Sequence, residues 1–433
     1  MSTKGFPLNK AQLEELAEHY PTPFYIYDEA AIRANARQLL KAFSVFPSYK
    51  EHFAVKALPN PFILKLLVEE GLGADCSSYP ELLLAGLAGI TGEAIMLTAN
   101  ETPASEYRAA RDLGAIINLD DFTHIEYLAK SAGIPELISC RYNPGPLKGG
   151  NGIIGKPEEA KYGFTREQII TGFALLRDKG AKRFALHTMV ASNELNLDYH
   201  LETGRILFEL AVEIKNKTGI ALEFINLGGG VGIPYKPEQE AIDWKRLAAG
   251  LKSLYDTILL PAGLGHIGIH TEYGRPITGP YGWLVARAIH RKSIYREYIG
   301  LDACMADLMR PALYGAYHHI TIPGKENAPL TETYDVVGSL CENNDKFAIQ
   351  RKLPKIDVGE IDSKASGTSV PGDFVVIHDA GAHGRAMGFN YNGKLRCGEL
   401  LLRPDGSITQ IRRAETVEDY FATLDLDAVK GFG

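Results

Sequence analysis

Lys56 closes the apolar run His52-Phe-Ala-Val-Lys56. A desolvated lysine is an amine nucleophile that forms Schiff bases with carbonyls, although the same residue type also closes strands toward solvent. His187 ends a second run, Arg183–His187, where an imidazole either stacks on a bound ring or sits as a satisfied core histidine. Glu272 follows the run His266–His270; a carboxylate there is an exposed loop acid or the group that keeps a pyridine nitrogen protonated. Gly228-Gly229-Gly230-Val231-Gly232 offers backbone N–H groups to a phosphate, or is a tight loop after a strand. It is not a GxGxxG turn followed by an acid, so a dinucleotide fits poorly. Arg275 and Arg310 have the fork geometry for a carboxylate or phosphate, against a default of surface charge. Cys341-Glu342 places a thiol beside a carboxylate in a polar turn, though a buried structural cysteine is the commoner case. HExxH, Walker A and GxSxG are absent and the histidines lack zinc spacing, so no metal is assigned.

The elements that must position these groups alternate. Short apolar runs occur at His52–Lys56, Gly73–Cys76, Ala94–Leu97, Ala115–Asn118, Leu137–Tyr142, Arg183–His187, Leu222–Asn226 and His266–His270. Between them lie helix-like stretches such as Pro61–Glu70, Asp121–Lys130, Arg166–Asp178 and Thr203–Asn216. Repeated strand–helix units predict a closed (β/α)8 barrel, with a doubly wound open sheet as the alternative. In a barrel the reactive groups gather at the carboxyl ends of the strands, where Lys56, Arg141, His187, the glycine turn and Glu272 fall. Beyond Gly274 the texture becomes β-rich, as in YGWLVARAIHRK, DFVVIHDAG and RCGELLLRP, which predicts a second, mostly antiparallel domain. Asp357–Thr368, rich in Gly, Ser, Lys and Asp, reads as an exposed loop within it.

At 433 residues the chain is too long for one ordinary domain. Its 53 acidic against 46 basic side chains, a net charge of −7, and the lack of a basic run argue against nucleic acid as a partner. No signal-like start and no stretch of 18 apolar residues argue against export and membrane spanning. The five scattered cysteines, without a CxxC pair, read as thiols of a cytoplasmic protein.

Taken in order, Phe53-Ala-Val-Lys56-Ala, Asp75-Cys-Ser-Ser78 with Glu81, Asn118-Leu-Asp120, Gly228–Gly232, Glu272-Tyr-Gly-Arg275, the run from Asp302 to Tyr314, Gly338-Ser-Leu-Cys341-Glu342, Asp379-Ala-Gly-Ala382 and Asn390-Tyr391-Asn392 form a pattern. It resembles the diaminopimelate decarboxylases and, more widely, the alanine-racemase-like barrel group of pyridoxal-phosphate decarboxylases. The resemblance spans nearly the whole chain. It implies an N-terminal segment over 1–30 packed on the β domain, a pyridoxal 5'-phosphate barrel over 31–275 and a β-rich domain over 276–433. It implies Lys56 as the cofactor lysine, Glu272 as the acid on the pyridinium and His187 as the ring-stacking histidine. Gly229, Gly230, Gly274, Arg275 and Tyr391 become cofactor contacts. Arg275, Arg310, Tyr314, Glu342 and Tyr391 become contacts to the substrate, a small amino acid. Cys341 becomes the thiol that protonates the intermediate, reaching the site with Glu342 from the partner subunit of a homodimer. The implied reaction is decarboxylation of meso-2,6-diaminopimelate to L-lysine, the last step of lysine synthesis.

Three departures bear on substrate. After the sixth run the family's His-Ile-Gly-Ser-Gln is His187-Thr-Met-Val-Ala-Ser192, which takes the serine out of register. Tyr273 replaces the proline of Glu-Pro-Gly-Arg, and His383 replaces a tyrosine. The loop Glu360–Thr368 is longer than in the family. Another diamino acid or a carboxyamino-polyamine precursor is therefore a competing substrate. A racemase would need a second acid/base on the far side of the ring, and a non-catalytic cofactor carrier would not retain Lys56, Glu272 and Cys341 together. Arg310 and Glu342 favour a substrate with a distal carboxylate and ammonium, since an unpaired buried arginine costs roughly 3–5 kcal/mol.

Overall fold

The computed structural model describes residues 4–361 and 369–430. They fall into two compact units. One comprises Ala31–Pro234 and Gln239–Thr278; the other comprises the described parts of Met1–Ala30, Tyr235–Glu238 and Gly279–Gly433. Strand β1 (Phe24–Asp28) belongs to the second unit.

In the first unit β2 (Tyr49–Ala54), β3 (Gly73–Cys76), β4 (Ile95–Thr98), β5 (Ile116–Leu119), β6 (Leu137–Arg141), β7 (Arg183–His187), β8 (Phe224–Asn226) and β9 (Gly268–Thr271) close a parallel barrel. Closure comes from β2 against β9, with Glu51 opposite Thr271. Strands buried along their whole length, as in β3, β5 and β6, are what a sheet covered by helices requires. Met96, Ile116, Leu137, Ala185 and Phe224 pack together as one core cluster.

Several sequence boundaries need correction, each for a local reason. The first run is strand only to Ala54; Val55–Ala57 is a 3-10 turn, which puts Lys56 just beyond the strand end. The helix read as Thr203–Asn216 runs from Leu197 to Thr218, begun by Asn196 Oδ1 accepting the Asp198 N–H and ended by Gly219 at φ 73°. The helix read from Asp121 starts at His124, because Asp121 Oδ1 takes the N–H and hydroxyl of Thr123 into a turn.

In the second unit the remaining strands are β10 (Gly282–Ser293), β11 (Glu297–Leu301), β12 (Ile320–Thr321), β13 (Glu332–Val337), β14 (Lys346–Leu353), β15 (Glu360–Ile361), β16 (Ser369–Val370), β17 (Phe374–Ile377), β18 (Gly398–Leu402) and β19 (Ile408–Arg412). The main sheet has the order β14-β13-β11-β10-β1-β18-β19, with β17 also on β10 and β12 on β17. It is mostly antiparallel, the exceptions being β1 with β18 and β11 with β13. The N-terminal segment thus supplies an internal strand of this sheet, and Phe24 and Ile26 join Trp283, Val285, Phe374, Val376 and Leu400 in its core. β14 escapes the alternation pattern because Gln350 adopts φ 46°, held by Asp335 Oδ1 through its N–H and side-chain amide. β15 and β16 pair with each other. Most of the long loop Glu360–Thr368 lies outside the described residues.

Candidate active site

Lys56 lines a cavity of about 190 Å3 at the carboxyl ends of the barrel strands, together with Asp75, Thr98, Arg141, Met189 and Glu272. A dry cavity of about 150 Å3 takes benzene, so this volume suits a substituted ring.

Glu272 is nearly inaccessible and is held through both carboxylate oxygens. Its Oε1 accepts the Asn226 side-chain amide at 2.8 Å and its Oε2 faces His187 Nε2 at 3.0 Å. Ser139 donates to Asn118 Oδ1 at 2.8 Å, which turns the Asn118 amide NH2 toward His187 Nδ1 at 2.9 Å. His187 therefore carries its proton on Nε2 and donates to Glu272. Burial pushes the Glu272 carboxyl up, but His187, with His52 and Lys56 further away, holds it below the usual carboxylate range. An acceptor-only carboxylate is what a protonated ring nitrogen requires as its partner.

Asp75 behaves in the opposite way. Burial and the nearby Glu272 charge push its carboxyl up, against the pull of Lys56, and its Oδ1 has no partner among the described residues. Two carboxyls of one cavity are thus driven apart, one ionised and one favouring its proton.

The glycine turn follows β8. Gly228 and Gly230 have φ of 67° and 98°, and a Cβ on Gly228, Gly229 or Gly230 would meet the carbonyl oxygens of Thr188, Glu272 or Ala191 at 2.1, 2.6 and 2.7 Å. Only glycine lets these loops come so close. The Gly229 N–H points to Met189 Sδ at 3.3 Å, a weak acceptor. Gly274 is required too, since its Cβ would lie 2.7 Å from that of Ala57 in the turn bearing Lys56. Arg275, almost fully buried, reaches Ser192 Oγ at 3.4 Å. A carbonyl-reactive amine, an acceptor for a ring N–H, an orphaned buried oxygen and a glycine cradle together fit pyridoxal phosphate.

Lys56, His187, Gly229, Gly230, Glu272, Gly274 and Arg275 all belong to this unit. Arg310, Tyr314, Cys341, Glu342 and Tyr391 belong to the second. There Arg310 is buried, its guanidinium 4.5 Å from the Tyr235 ring centroid and 3.0 Å from His318 Nε2. His318 is held in that tautomer by donating from Nδ1 to the His378 carbonyl at 2.8 Å. Arg310 already has protein partners, so its burial does not by itself demand a second substrate carboxylate. Cys341 and Glu342 ride on a turn closed by Asp345, which accepts from Leu340 N at 2.7 Å and Met305 N at 2.6 Å. Cys341, Tyr314 and Tyr391 are exposed and Glu342 is half-buried.

Arg141, read from the sequence as one of the groups at the barrel mouth, lines the cavity as expected, whereas Asp75, Thr98, Asn118 and Asn226 were given no role in the site by sequence reasoning. Each lies within the last two residues of a barrel strand, a signal that was available once the strands were counted.

Residues 29–279 match the family model described as pyridoxal-dependent decarboxylase, pyridoxal binding domain. The chain belongs to that family, and its cofactor is pyridoxal 5'-phosphate. It is 42% identical over 429 residues to Protein TabA of Pseudomonas amygdali pv. tabaci, covering 99% of this chain and 96% of the relative. To the diaminopimelate decarboxylase of Methanothermobacter thermautotrophicus it is 33% identical over 413 residues, covering 94% and 93%. The crystal structure of diaminopimelate decarboxylase from M. jannaschii in co-complex with L-lysine superposes with a TM-score of 0.85 at 28% identity, over 95% of this chain and 94% of that one. Among the described residues no helix is long and apolar enough to cross a membrane.

Proposed function

We propose that this protein removes one carboxylate of meso-2,6-diaminopimelate, releasing CO2 and L-lysine as the last step of lysine synthesis. The observation that carries the reading is Glu272, fixed as an ionised acceptor by His187 and Asn226 in the cavity that Lys56 lines. Pyridoxal phosphate, held through Lys56, supplies an electron sink for the pair left behind when the carboxylate departs. Glu272 keeps the proton on the ring nitrogen, and His187 fixes Glu272 while presenting its own ring to the cofactor. Gly229, Gly230 and Tyr391 would hold the phosphate, and Gly274 and Arg275 would contact the cofactor. Burial of Glu272 and His187 strengthens the charge interaction between them. Arg275, Arg310, Tyr314, Glu342 and Tyr391 hold the substrate, and Cys341 delivers a proton to the carbon that lost its carboxylate. The names of the relatives at about one-third identity support this substrate.

We infer also a homodimer in which the Cys341–Glu342 turn serves the partner's barrel. Mixing Lys56→Ala subunits, nearly inactive alone, with Cys341→Ala subunits, which keep at most about a tenth of parent activity, then raises activity to about a quarter of the parent's through one intact site per mixed dimer. No recovery on mixing, with subunit exchange demonstrated, removes the shared-site reading.

A second reading, another amino acid on the same machinery, is favoured by Met189 on the Gly229 N–H, by Tyr273 and by His383 at φ 53°. The relative at 42% identity also carries a different name from the decarboxylases. The deciding experiment measures CO2 release from the pyridoxal-phosphate-loaded protein offered meso-diaminopimelate, L-lysine, L- and D-ornithine and L-arginine in parallel. Release from meso-diaminopimelate alone, with lysine as product, is expected. Release only from another amino acid transfers the assignment to that substrate, and no release from any of them sinks the diaminopimelate reading.

A further inference from the structure

Glu51 is a fully buried carboxyl on the barrel strand that leads to Lys56, and the mechanism above gives it no task. It grips both neighbours of Glu272. Glu51 Oε1 accepts the Tyr273 N–H at 2.6 Å, and Glu51 Oε2 accepts the Thr271 hydroxyl. The Tyr49 phenol closes the group, 2.6 Å from Thr271 Oγ1 and 3.3 Å from Glu51 Oε2. Glu51 thus holds the last residue of β9 through its side chain and the second residue beyond it through its backbone, and Glu272 between them meets Asn226 and His187. Tyr273 is one of the sequence departures: a proline at that position has no N–H to give. The carboxyl and the amide that satisfies it are therefore a matched pair in this chain. Trp244, stacked on the Tyr273 ring at 5.3 Å, braces the same residue.

We propose that Glu51 is a positioning residue which, by holding the Thr271 hydroxyl and the Tyr273 amide, fixes the backbone on both sides of Glu272 and so sets the carboxylate that faces the cofactor ring. The proposal rests on the reading of Glu272 as the partner of the ring nitrogen. The titratable groups that bear on Glu51 are Tyr49 on its own strand and Glu272 and Tyr273 across from it. Burial pushes the Glu51 carboxyl up to about 8, against the hydrogen bonds from Thr271, Tyr273 and Tyr49, with Glu272 adding to the rise. Its charge therefore changes near neutral pH, next to the carboxylate it positions.

The test uses Glu51→Leu and Glu51→Gln in the full-length protein. Each is titrated with pyridoxal phosphate, followed by visible absorbance across pH 6 to 9, and then assayed for kcat and KM. Leucine strands the Tyr273 amide, so we expect cofactor affinity and kcat each to fall about tenfold, with KM within about twofold of the parent. Glutamine keeps a carbonyl for that amide and offers an NH2 to the Thr271 and Tyr49 hydroxyls. It should recover to within about threefold of the parent at pH 7, and any absorbance change that Glu51 itself causes as it ionises should be missing from it. If Glu51→Leu lowers only the melting temperature, leaving affinity, kcat and the absorbance profile at parent values, Glu51 is structural and the proposal fails. Should the leucine variant not fold, Thr271→Val, which removes the hydroxyl that Glu51 holds, decides: parent cofactor affinity and kcat in that variant overturn the proposal. A parent that binds no pyridoxal phosphate defeats the site reading and this proposal together, whereas a binding parent with indifferent variants defeats only this one.

Discussion

The barrel unit and the β unit treat their chemistry-bearing residues differently. In the barrel, His187 and Glu272 are buried and cross-bonded through Asn118, Ser139 and Asn226, so each has one available orientation. In the β unit, Arg310 is buried against His318 and Tyr235, but Cys341, Tyr314 and Tyr391 stand exposed on turns. The contrast separates two tasks. A cofactor that stays through many turnovers needs a pre-organised cradle, whereas groups that meet a substrate and let it go sit on shorter, more accessible segments. Substitutions in the barrel should therefore cost cofactor as well as rate, and in the β unit, Tyr391 with its proposed phosphate contact aside, substitutions should cost rate or selectivity alone.

The largest expected effect is Lys56→Ala. CO2 release should drop by on the order of 10^3-fold or more, and the visible absorbance of bound cofactor should vanish. Retained absorbance at the parent wavelength would show that another amine holds the cofactor. Glu272→Gln comes next, because an amide no longer stabilises charge on the ring nitrogen. A kcat loss of about 10^2- to 10^3-fold is expected, with weaker cofactor retention on dialysis. Cys341→Ala sharpens the comparison from the other side: cofactor affinity should stay within about twofold while kcat falls roughly ten- to a hundredfold. A Cys341→Ala enzyme with parent kinetics would remove the thiol from the reaction.

What was legible in the sequence follows the same division. The barrel could be read because apolar runs recur between helix-like stretches, several of them stopping at a polar residue, and strand ends are where a barrel collects its chemistry. Lys56, His187 and Glu272 were visible as strand-end residues before any fold was known. Asp75 and Asn118 were quoted only as parts of motifs and Asn226 only as the end of a run, and none was given a role, since a single polar side chain in a short apolar run has no evident task until the neighbouring strand supplies its partner. The pairing of Glu51 with Tyr273 was further out of reach. It exists only because the first and last barrel strands meet, across more than 200 positions of chain. In the β unit, the Phe24–Asp28 strand pairs with Gly398–Leu402 at the far end of the chain, a partnership no local pattern announces. The matching of Arg310 with His318 likewise depends on a bend of the chain rather than on spacing.

The smallest effect concerns stability and separates the units by pH. His378, buried in the β unit, accepts the Trp283 indole N–H on Nδ1 at 3.1 Å and bonds Thr321 Oγ1 through Nε2 at 2.8 Å. A second ring proton would have to go on Nδ1, where the indole proton already points, and burial together with the fields of His319 and Lys4 pushes its pKa down to about 3. Unfolding restores an ordinary imidazole near 6.5. Between these values the unfolded chain binds the extra proton and the folded chain does not. Stability is therefore full above about pH 6.5 and falls as the pH drops toward 3, by at most about 1.4 kcal/mol per pH unit for this one group. Urea midpoints of the parent and of His378→Gln, measured from pH 7 to pH 4, should converge on the acid side because the variant lacks this proton. The pH dependence of cofactor absorbance, a property of the barrel, should be the same in both. Parallel urea curves at every pH would mean that His378 is not the acid-sensitive group of its unit. An altered absorbance profile would mean that the two units do not divide the work as the placement of their residues implies.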